Sequence, residues 1–180
     1  MKQIMDQQEI EHAITRVAMT IIENHKELST TMILGIRTRG EYLAKRLTTA
    51  LERLSGIAVP CGVMDITLYR DDLSMANSAP VFQGNSIPFP VQGKRIILVD
   101  DVIFTARTLR SAMYAVMDQG RPQSIEVFAL IDRGHNELPL YARYKGKHVQ
   151  TSRSEEVLVK LSELDGEDSV WIHDPNQQGA

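Results

Sequence analysis

Apolar positions in the first part of the chain recur with helical and strand periodicities. Between residues 10 and 22 they follow a spacing of three and four, which predicts an amphipathic helix. Asp6 followed by Glu9 forms a capping-box pattern, which predicts where this helix begins. An apolar run at residues 31–36 predicts a buried strand, and apolar positions between residues 43 and 54 predict a second helix. Strand, loop and helix together make half of a βαβ unit.

The middle of the chain repeats this order more clearly. Residues 95–99 predict a buried strand, residues 100–107 a turn, and the apolar stripe at residues 109–117 a helix that Gly120 and Pro122 end. Residues 125–131 predict a further strand. Because strands alternate with helices, we expect an α/β fold with a mainly parallel sheet flanked by helices.

Three other stretches depart from this alternation. Residues 59–69 predict a strand, and residues 70–90 after it are so rich in turn formers that they predict a long surface loop, the kind that closes over an active site. From Tyr141 onward the apolar pieces are short, as at residues 157–161 and 170–172, and they predict antiparallel strands.

Composition places the chain among ordinary globular proteins. Its 180 residues are enough for one domain, expected to span residues 1–180. The chain is 43% hydrophobic and 24% charged, no apolar run approaches the ~20 residues that cross a bilayer, and residues 1–6 do not resemble a signal peptide. We therefore expect a soluble, cytoplasmic protein without a membrane partner. Cys61 is the only cysteine and is expected to be a buried, unreactive thiol.

The most informative chemistry follows the strand at residues 95–99, because ligands of open parallel sheets bind beyond the carboxyl ends of the strands. Asp100 and Asp101 can accept hydrogen bonds from a vicinal diol, while the start of the next helix can present backbone N–H groups to a phosphate. A solvated strand end is the alternative. Thr105, Arg107 and Thr108 nearby favour a site for a ribose and its phosphate.

Two common nucleotide-binding motifs are excluded. A P-loop needs a lysine after its second glycine, and the nearest candidate, at residues 35–40, continues with Glu41. The dinucleotide fingerprint of three spaced glycines does not occur.

Residues 96–108, IILVDDVIFTART, resemble the phosphoribosyl-pyrophosphate (PRPP) motif of type I phosphoribosyltransferases. Within that family, GIRTRGEYLAKRL, DITLYRDDL and DRGHNELP resemble the proteins that act both as uracil phosphoribosyltransferases and as attenuators of pyrimidine operons. The resemblance covers nearly the whole chain. It implies the type I phosphoribosyltransferase fold with a small hood and a flexible loop. It also implies conversion of uracil and PRPP to UMP and pyrophosphate in pyrimidine salvage, with Mg²⁺ accompanying the pyrophosphate, in a homodimer or higher homo-oligomer.

The resemblance also implies the roles of individual residues. Asp100 and Asp101 would bind the ribose hydroxyls, Arg39 would bridge pyrophosphate oxygens, Arg70 would come from the closing loop, and Val157 would form an apolar wall for uracil. Arg39, Asp100 and Asp101 are the expected catalytic residues, and no general base is assigned. The full set expected to bind substrate is Thr38, Arg39, Gly40, Arg70, Asp100, Asp101, Val102, Ile103, Phe104, Thr105, Ala106, Arg107, Thr108, Ile131, Arg133 and Val157.

Two positions of the PRPP motif depart from the usual Tyr-Thr-Gly-Arg-Thr. Phe104 keeps the aromatic ring and loses a hydroxyl. Ala106 replaces a glycine, the residue favoured where backbone approaches a ligand closely or takes a positive φ. A Cβ is tolerated there if φ is negative, so we expect reduced PRPP affinity at most.

The alternative function is binding of pyrimidine-operon leader RNA in response to uridine nucleotides. The resemblance assigns this role to Thr15, Arg16, His135 and Lys147. However, Met19 replaces the usual histidine, Asn24, Asn136 and Tyr141 replace usual arginines, and 20 Lys and Arg against 23 Asp and Glu leave a formal charge of -3. Each lost cation weakens attraction to phosphates, so the enzyme is expected first and the regulator second.

Overall fold

A five-stranded parallel sheet forms the centre of the protein, in a computed structural model that describes residues 1–66, 87 and 89–176. Its strand order is β3-β2-β4-β5-β6, and a second sheet, antiparallel, has the order β1-β8-β7. The strands are β1 (Lys2–Met5), β2 (Thr31–Ile36), β3 (Cys61–Met64), β4 (Arg95–Ile103), β5 (Ser124–Asp132), β6 (Tyr144–His148), β7 (Glu156–Lys160) and β8 (Ser169–His173). The helices are α1 (Gln7–Asn24), α2 (Arg39–Ser55), α3 (Arg107–Met117) and α4 (Ser162–Asp165).

Helix α1 begins where its capping box predicts. The Asp6 carboxylate accepts a hydrogen bond from the Glu9 N–H at 2.8 Å, and the Glu9 carboxylate accepts one from the Asp6 N–H at 2.9 Å. The apolar stripe of α1 packs with α2 on one face of the parallel sheet, and α3 covers the other face. The prediction of a parallel sheet with helices on both faces is therefore confirmed. Within the described residues, the helices lack the combination of length and apolar character that crossing a bilayer requires.

Strand β4 is longer than predicted, and this changes where the two aspartates lie. The expected turn at residues 100–107 was wrong in its first half, because the strand runs on to Ile103. The reason is continued pairing with β5, in which Val102 lies opposite Ile131 and Ile103 opposite Asp132. Both aspartates therefore project from a hydrogen-bonded strand instead of a loose turn.

Predictions for the shorter strands were mixed. The antiparallel pairing of β7 with β8 is confirmed, whereas β6, which pairs parallel with β5, was not predicted. Strand β3 covers only Cys61–Met64 of the predicted residues 59–69. Strand β1 was not predicted, and it completes the small antiparallel sheet. We call this sheet and α4 together the hood. The predicted loop at residues 70–90 lies almost entirely outside the described residues.

A polar network around His25 lies at the end of the parallel sheet where the strands begin. Arg95 donates to His25 Nδ1 at 3.2 Å, so His25 Nε2 carries the proton and donates to Glu126 at 2.9 Å. The Tyr144 hydroxyl donates to the same carboxylate oxygen at 2.6 Å, and Arg143 donates to the other oxygen at 2.8 Å. Burial, together with this hydrogen bond to Glu126, raises the pKa of Tyr144 to about 12. The network ties α1 to three strands of the sheet.

Candidate functional site

Asp100 and Asp101 lie side by side near the carboxyl end of β4, and both are half-buried. One oxygen of Asp100 accepts the Asp101 N–H at 2.9 Å, and one oxygen of Asp101 accepts the Val102 N–H at 2.9 Å. Burial and the adjacent negative charge of Asp101 raise the pKa of Asp100 well above its usual range. The pair therefore combines acceptor oxygens with one carboxyl group that holds a proton more tightly than an ordinary aspartate.

The turn after β2 packs directly against this strand end. A Cβ added to Gly40 would lie 2.3 Å from the Val99 carbonyl oxygen and 3.3 Å from the Asp100 Cα. A Cβ added to Gly35 would lie 2.5 Å from the Gly40 carbonyl oxygen. Only glycine fits at either position, so the local sequence allows the turn containing Thr38 to lie against β4. The peptide bond between Arg37 and Thr38 is cis.

The segment from Phe104 to Thr108 joins β4 to α3 and forms the third part of the site. Ala106 is the N-cap residue of α3, and neither a side-chain cap nor an acidic residue occupies the first helical turn. The N–H groups at such a helix start, with the positive end of the helix dipole, attract a phosphate. Arg107 lies in this first turn with half of its side chain exposed, and Glu137 pairs with it at 3.1 Å.

Ala106 has φ 69° and ψ 9°, a left-handed conformation that favours glycine. The negative φ that was given as the condition for tolerating its Cβ is therefore not found. The physical reason is the short connection, because the chain must turn from the extended β4 into α3 between Ile103 and Arg107. Ala106 is also only 3% exposed.

Arg133 is buried beside this segment, and its Nε and Nη2 already donate hydrogen bonds within the protein. Its guanidinium lies 4.0 Å from the Phe104 ring centroid and donates to Thr151 Oγ1 at 2.9 Å and to the carbonyl oxygens of Ser152 and Glu155. His135 stacks edge-on against the same ring, with the centroids 5.4 Å apart. Arg133 thus holds residues 151–155 near the Phe104 side of the site.

The residues at the end of β5 and on β7 are buried to different degrees. Ile131 is fully buried in β5, backbone included, and Val157 is half-buried on β7. Asp132 is buried and pairs with Lys145 on β6. Although burial alone would raise it, the pKa of Asp132 is lowered by Lys145 and by the Gly134 N–H. Arg70 lies outside the described residues.

A contact between Arg39 and the hood was not predicted from the sequence. Arg39 Nη2 donates to both oxygens of Asp165, at 3.1 and 3.2 Å. The two residues are far apart in the chain, and Asp165 belongs to the four-residue helix α4, which has no distinctive pattern.

Of the residues expected to contact RNA, the structure brings Arg16 and Lys147 to the same face. Arg16 donates to the carbonyl oxygens of Lys145 and Gly146, directly before Lys147 in β6. Thr15 instead accepts from Arg53 on α2 at 3.5 Å. His135, in the loop after β5, instead contacts the Phe104 ring and the Thr151 carbonyl oxygen. Of the residues that replace the histidine and arginines usual in attenuators, Met19 and Tyr141 are exposed, and Asn136 donates to the Leu140 carbonyl oxygen.

Comparison with known proteins gives consistent results. The family described as the phosphoribosyl transferase domain matches residues 1–161. The chain is 50% identical over 171 residues to the bifunctional protein PyrR of Halalkalibacterium halodurans, covering 94% of this chain and 95% of that one. It is 48% identical to the bifunctional protein PyrR of Bacillus subtilis, over 95% and 96% of the two chains.

The fold is also similar to that of solved structures. The hypoxanthine phosphoribosyltransferase of Trypanosoma cruzi superposes with a TM-score of 0.73 at 16% identity, over 97% of both chains. A Staphylococcus aureus hypoxanthine phosphoribosyltransferase gives a TM-score of 0.73 at 14% identity, over 97% of this chain and 93% of that one. At such identities the likeness establishes the type I phosphoribosyltransferase fold and says nothing about the base.

Proposed function

Because the chain belongs to the phosphoribosyltransferase family, we propose that it transfers the phosphoribosyl group of PRPP to uracil, producing UMP and pyrophosphate. One observation carries this proposal. Asp100 and Asp101 lie between the start of α3 and the start of α2, where Gly40 packs on β4. A diol-binding pair flanked by two sites suited to phosphates matches the three parts of PRPP: the ribose, its 5′-phosphate and its pyrophosphate.

In the proposed reaction, the bond between the anomeric carbon and the pyrophosphate oxygen breaks. A bond from that carbon to N1 of uracil forms, and the N1 proton passes to the departing pyrophosphate or to solvent. Positive charge develops on the ribose in the transition state, so the negative charge that the Asp100–Asp101 pair carries beside the hydroxyls would stabilise it. Arg39 would bind the departing pyrophosphate, and the start of α3 would hold the 5′-phosphate fixed. Positioning and charge stabilisation thus account for most of the expected rate enhancement.

The described residues fit a Mg²⁺ ion that arrives with the substrate. They contain no cluster of three or more His, Cys, Asp or Glu able to hold a metal by itself. Mg²⁺ at phosphate sites usually has one or two carboxylate ligands together with phosphate oxygens and water. We therefore propose that the pyrophosphate holds the ion, with Asp100 and Asp101 close by, and that the ion neutralises the departing charge.

Leader-RNA binding is the second candidate function, and a specific observation favours it. Relatives about 50% identical over most of the chain are named bifunctional proteins. Arg16 and Lys147 form the start of a cationic face, since Arg16 reaches the backbone of β6. Lys147 is partly neutralised there, because Glu9 lies 3.7 Å away. Replacing Arg16 and Lys147 with alanine would weaken leader-RNA binding without changing UMP formation if this function is present.

The enzymatic proposal is tested by supplying PRPP and Mg²⁺ with one base at a time. Uracil, hypoxanthine, guanine and orotate would be compared, with nucleotide formation followed by chromatography. UMP formation from uracil, well above product formation from the other bases, is the expected result. Comparable turnover of a purine base would contradict uracil as the substrate while preserving the reaction class.

A further inference from the structure

Helix α2 presents two arginines to the hood, and every nitrogen of the Arg46 guanidinium donates a hydrogen bond there. Its Nε donates to Glu163 at 2.9 Å, its Nη1 to Asp168 at 2.8 Å, and its Nη2 to Glu163, Asp168 and Ser162. Although burial alone would lower it, these carboxylates raise the pKa of the Arg46 guanidinium. Arg46 is therefore a structural tie between α2 and the hood.

Arg39 lies two helical turns before Arg46 and is only partly satisfied. Both of its hydrogen bonds to Asp165 come from one nitrogen, Nη2. Its Nε is buried and has no hydrogen-bond partner within the part of the chain that the structure describes. A buried N–H without a partner costs free energy, so such donors usually have a partner in the functional state. The two arginines thus differ in what they leave available to a ligand.

Asp165 is itself held in place. One of its oxygens accepts the Leu161 N–H at 2.9 Å, so the carboxylate is fixed to the backbone at the start of α4. An arginine side chain loses considerable rotamer freedom when it is ordered. Because Asp165 orders the guanidinium before any ligand arrives, that loss does not oppose binding.

We propose that Asp165 is a positioning residue for pyrophosphate: it holds the partly exposed Arg39 side chain through Nη2, while Nε and Nη1, which have no partner among the described residues, keep their donors for an anion. This inference rests on the proposed function, since Arg39 neighbours Gly40, which packs on β4 beside Asp100. Asp165 does not touch the substrate in this account. It acts only through Arg39, and it couples the hood to the pyrophosphate part of the site.

The opposite role, in which Asp165 competes with pyrophosphate for Arg39, predicts a different arrangement. A competing carboxylate would form a two-nitrogen fork with the guanidinium, the geometry that phosphates also prefer. Here both bonds come from a single nitrogen, and Nε and Nη1 have no partner among the described residues. Positioning is therefore the role that the contacts favour.

The test uses Asp165→Asn, with Asp168→Asn as its matched control on the other arginine. Pyrophosphate and PRPP binding would be measured by calorimetry with Mg²⁺ present, and KM values for PRPP and uracil would be measured separately. Asp165→Asn should weaken pyrophosphate and PRPP binding roughly five- to tenfold with the uracil KM unchanged. Asp168→Asn should lower the melting temperature and leave both affinities at the wild-type level.

A double-mutant cycle with Arg39→Ala separates positioning from a general effect on folding. In the Arg39→Ala background, Asp165→Asn should have no further effect on pyrophosphate binding. The inference is overturned if Asp165→Asn binds pyrophosphate as tightly as wild type or more tightly, or if its effect persists without Arg39. If the wild-type protein binds neither PRPP nor pyrophosphate, the proposed function itself is wrong.

Discussion

Replacing Ala106 with glycine tests the backbone conformation at the start of α3. At φ 69° an L-residue is strained by about 1–2 kcal/mol. Glycine removes that strain, but it loses a methyl group worth about 0.8 kcal/mol when buried and adds about 0.5–1 kcal/mol of chain entropy. Both terms apply because Ala106 is only 3% exposed. Since the contributions nearly cancel, Ala106→Gly should lie within about 0.5 kcal/mol of wild type in free energy of unfolding.

Ala115→Gly is the matched control because Ala115 is fully buried in the interior of α3. It loses the same methyl group and about 1 kcal/mol of helix propensity with no strain to relieve, so it should cost about 2 kcal/mol. For a chain of this size, 1 kcal/mol shifts the melting temperature by about 2–4 °C. Thermal and urea-induced unfolding should therefore show a drop of about 4–8 °C for Ala115→Gly and less than about 2 °C for Ala106→Gly.

Gly56 allows the reverse experiment in the same protein. It has φ 73°, and a Cβ added there would meet no atom within 4 Å. Gly56→Ala should cost about 0.5–1 kcal/mol, the strain less the entropy gained. The reasoning would be refuted if Ala106→Gly were as destabilising as Ala115→Gly while Gly56→Ala left stability unchanged.

Other substitutions test the charges and packing of the molecule. Asp100→Asn should raise the melting temperature at pH values above the ordinary aspartate pKa, because the raised pKa of Asp100 means that stability is lost as the pH rises through it. The gain should be absent below the ordinary aspartate pKa and grow as the pH rises above it, and a gain that does not change with pH would contradict the assignment. Tyr144→Phe should cost about 1 kcal/mol at neutral pH. Wild type should also lose stability between about pH 10 and about pH 12, because the pKa of Tyr144 in the folded protein lies above the ordinary tyrosine pKa, and Tyr144→Phe should not show this loss. Alkaline unfolding curves of the same shape for the variant and for wild type would argue against this. Gly40→Ala should cost about 1–3 kcal/mol and weaken PRPP binding, since the added Cβ would overlap the Val99 carbonyl oxygen; wild-type PRPP affinity in calorimetry would rule out the close packing.

The parts of the fold with strong periodicity were predictable from the sequence. The helix after Asp6 and the strand beginning at Arg95 carry apolar spacing that reports the buried face directly. Strand β6, with sequence YKGKH, carries no such apolar pattern because a lysine stands on each side of Gly146. Its position depends on backbone packing, since a Cβ at Gly146 would lie 2.4 Å from the Leu130 carbonyl oxygen. Contacts of that kind depend on the tertiary structure.

The candidate site was predictable where its residues are adjacent in the chain. Asp100 and Asp101 follow an apolar strand, and this is visible in the sequence. The left-handed conformation of Ala106 could not be predicted from its residue type, because alanine favours a negative φ. The positive φ is imposed by the short connection between β4 and α3. The pairing of Arg39 with Asp165 was also hidden, since the hood brings them together from distant parts of the chain.

The most direct test of the central claim is UMP formation by the wild-type protein beside Asp100→Asn and Asp101→Asn. Asp174→Asn, the same change in a turn after β8, serves as the control. Purified protein would be supplied with uracil, PRPP and Mg²⁺, and folding of each variant would be checked by thermal melting. The account predicts turnover by wild type and by the control. In both site variants the turnover rate should fall by at least about 100-fold, the usual effect of removing one charge-stabilising group. Undiminished turnover in folded Asp100→Asn and Asp101→Asn would contradict the assignment of the ribose site.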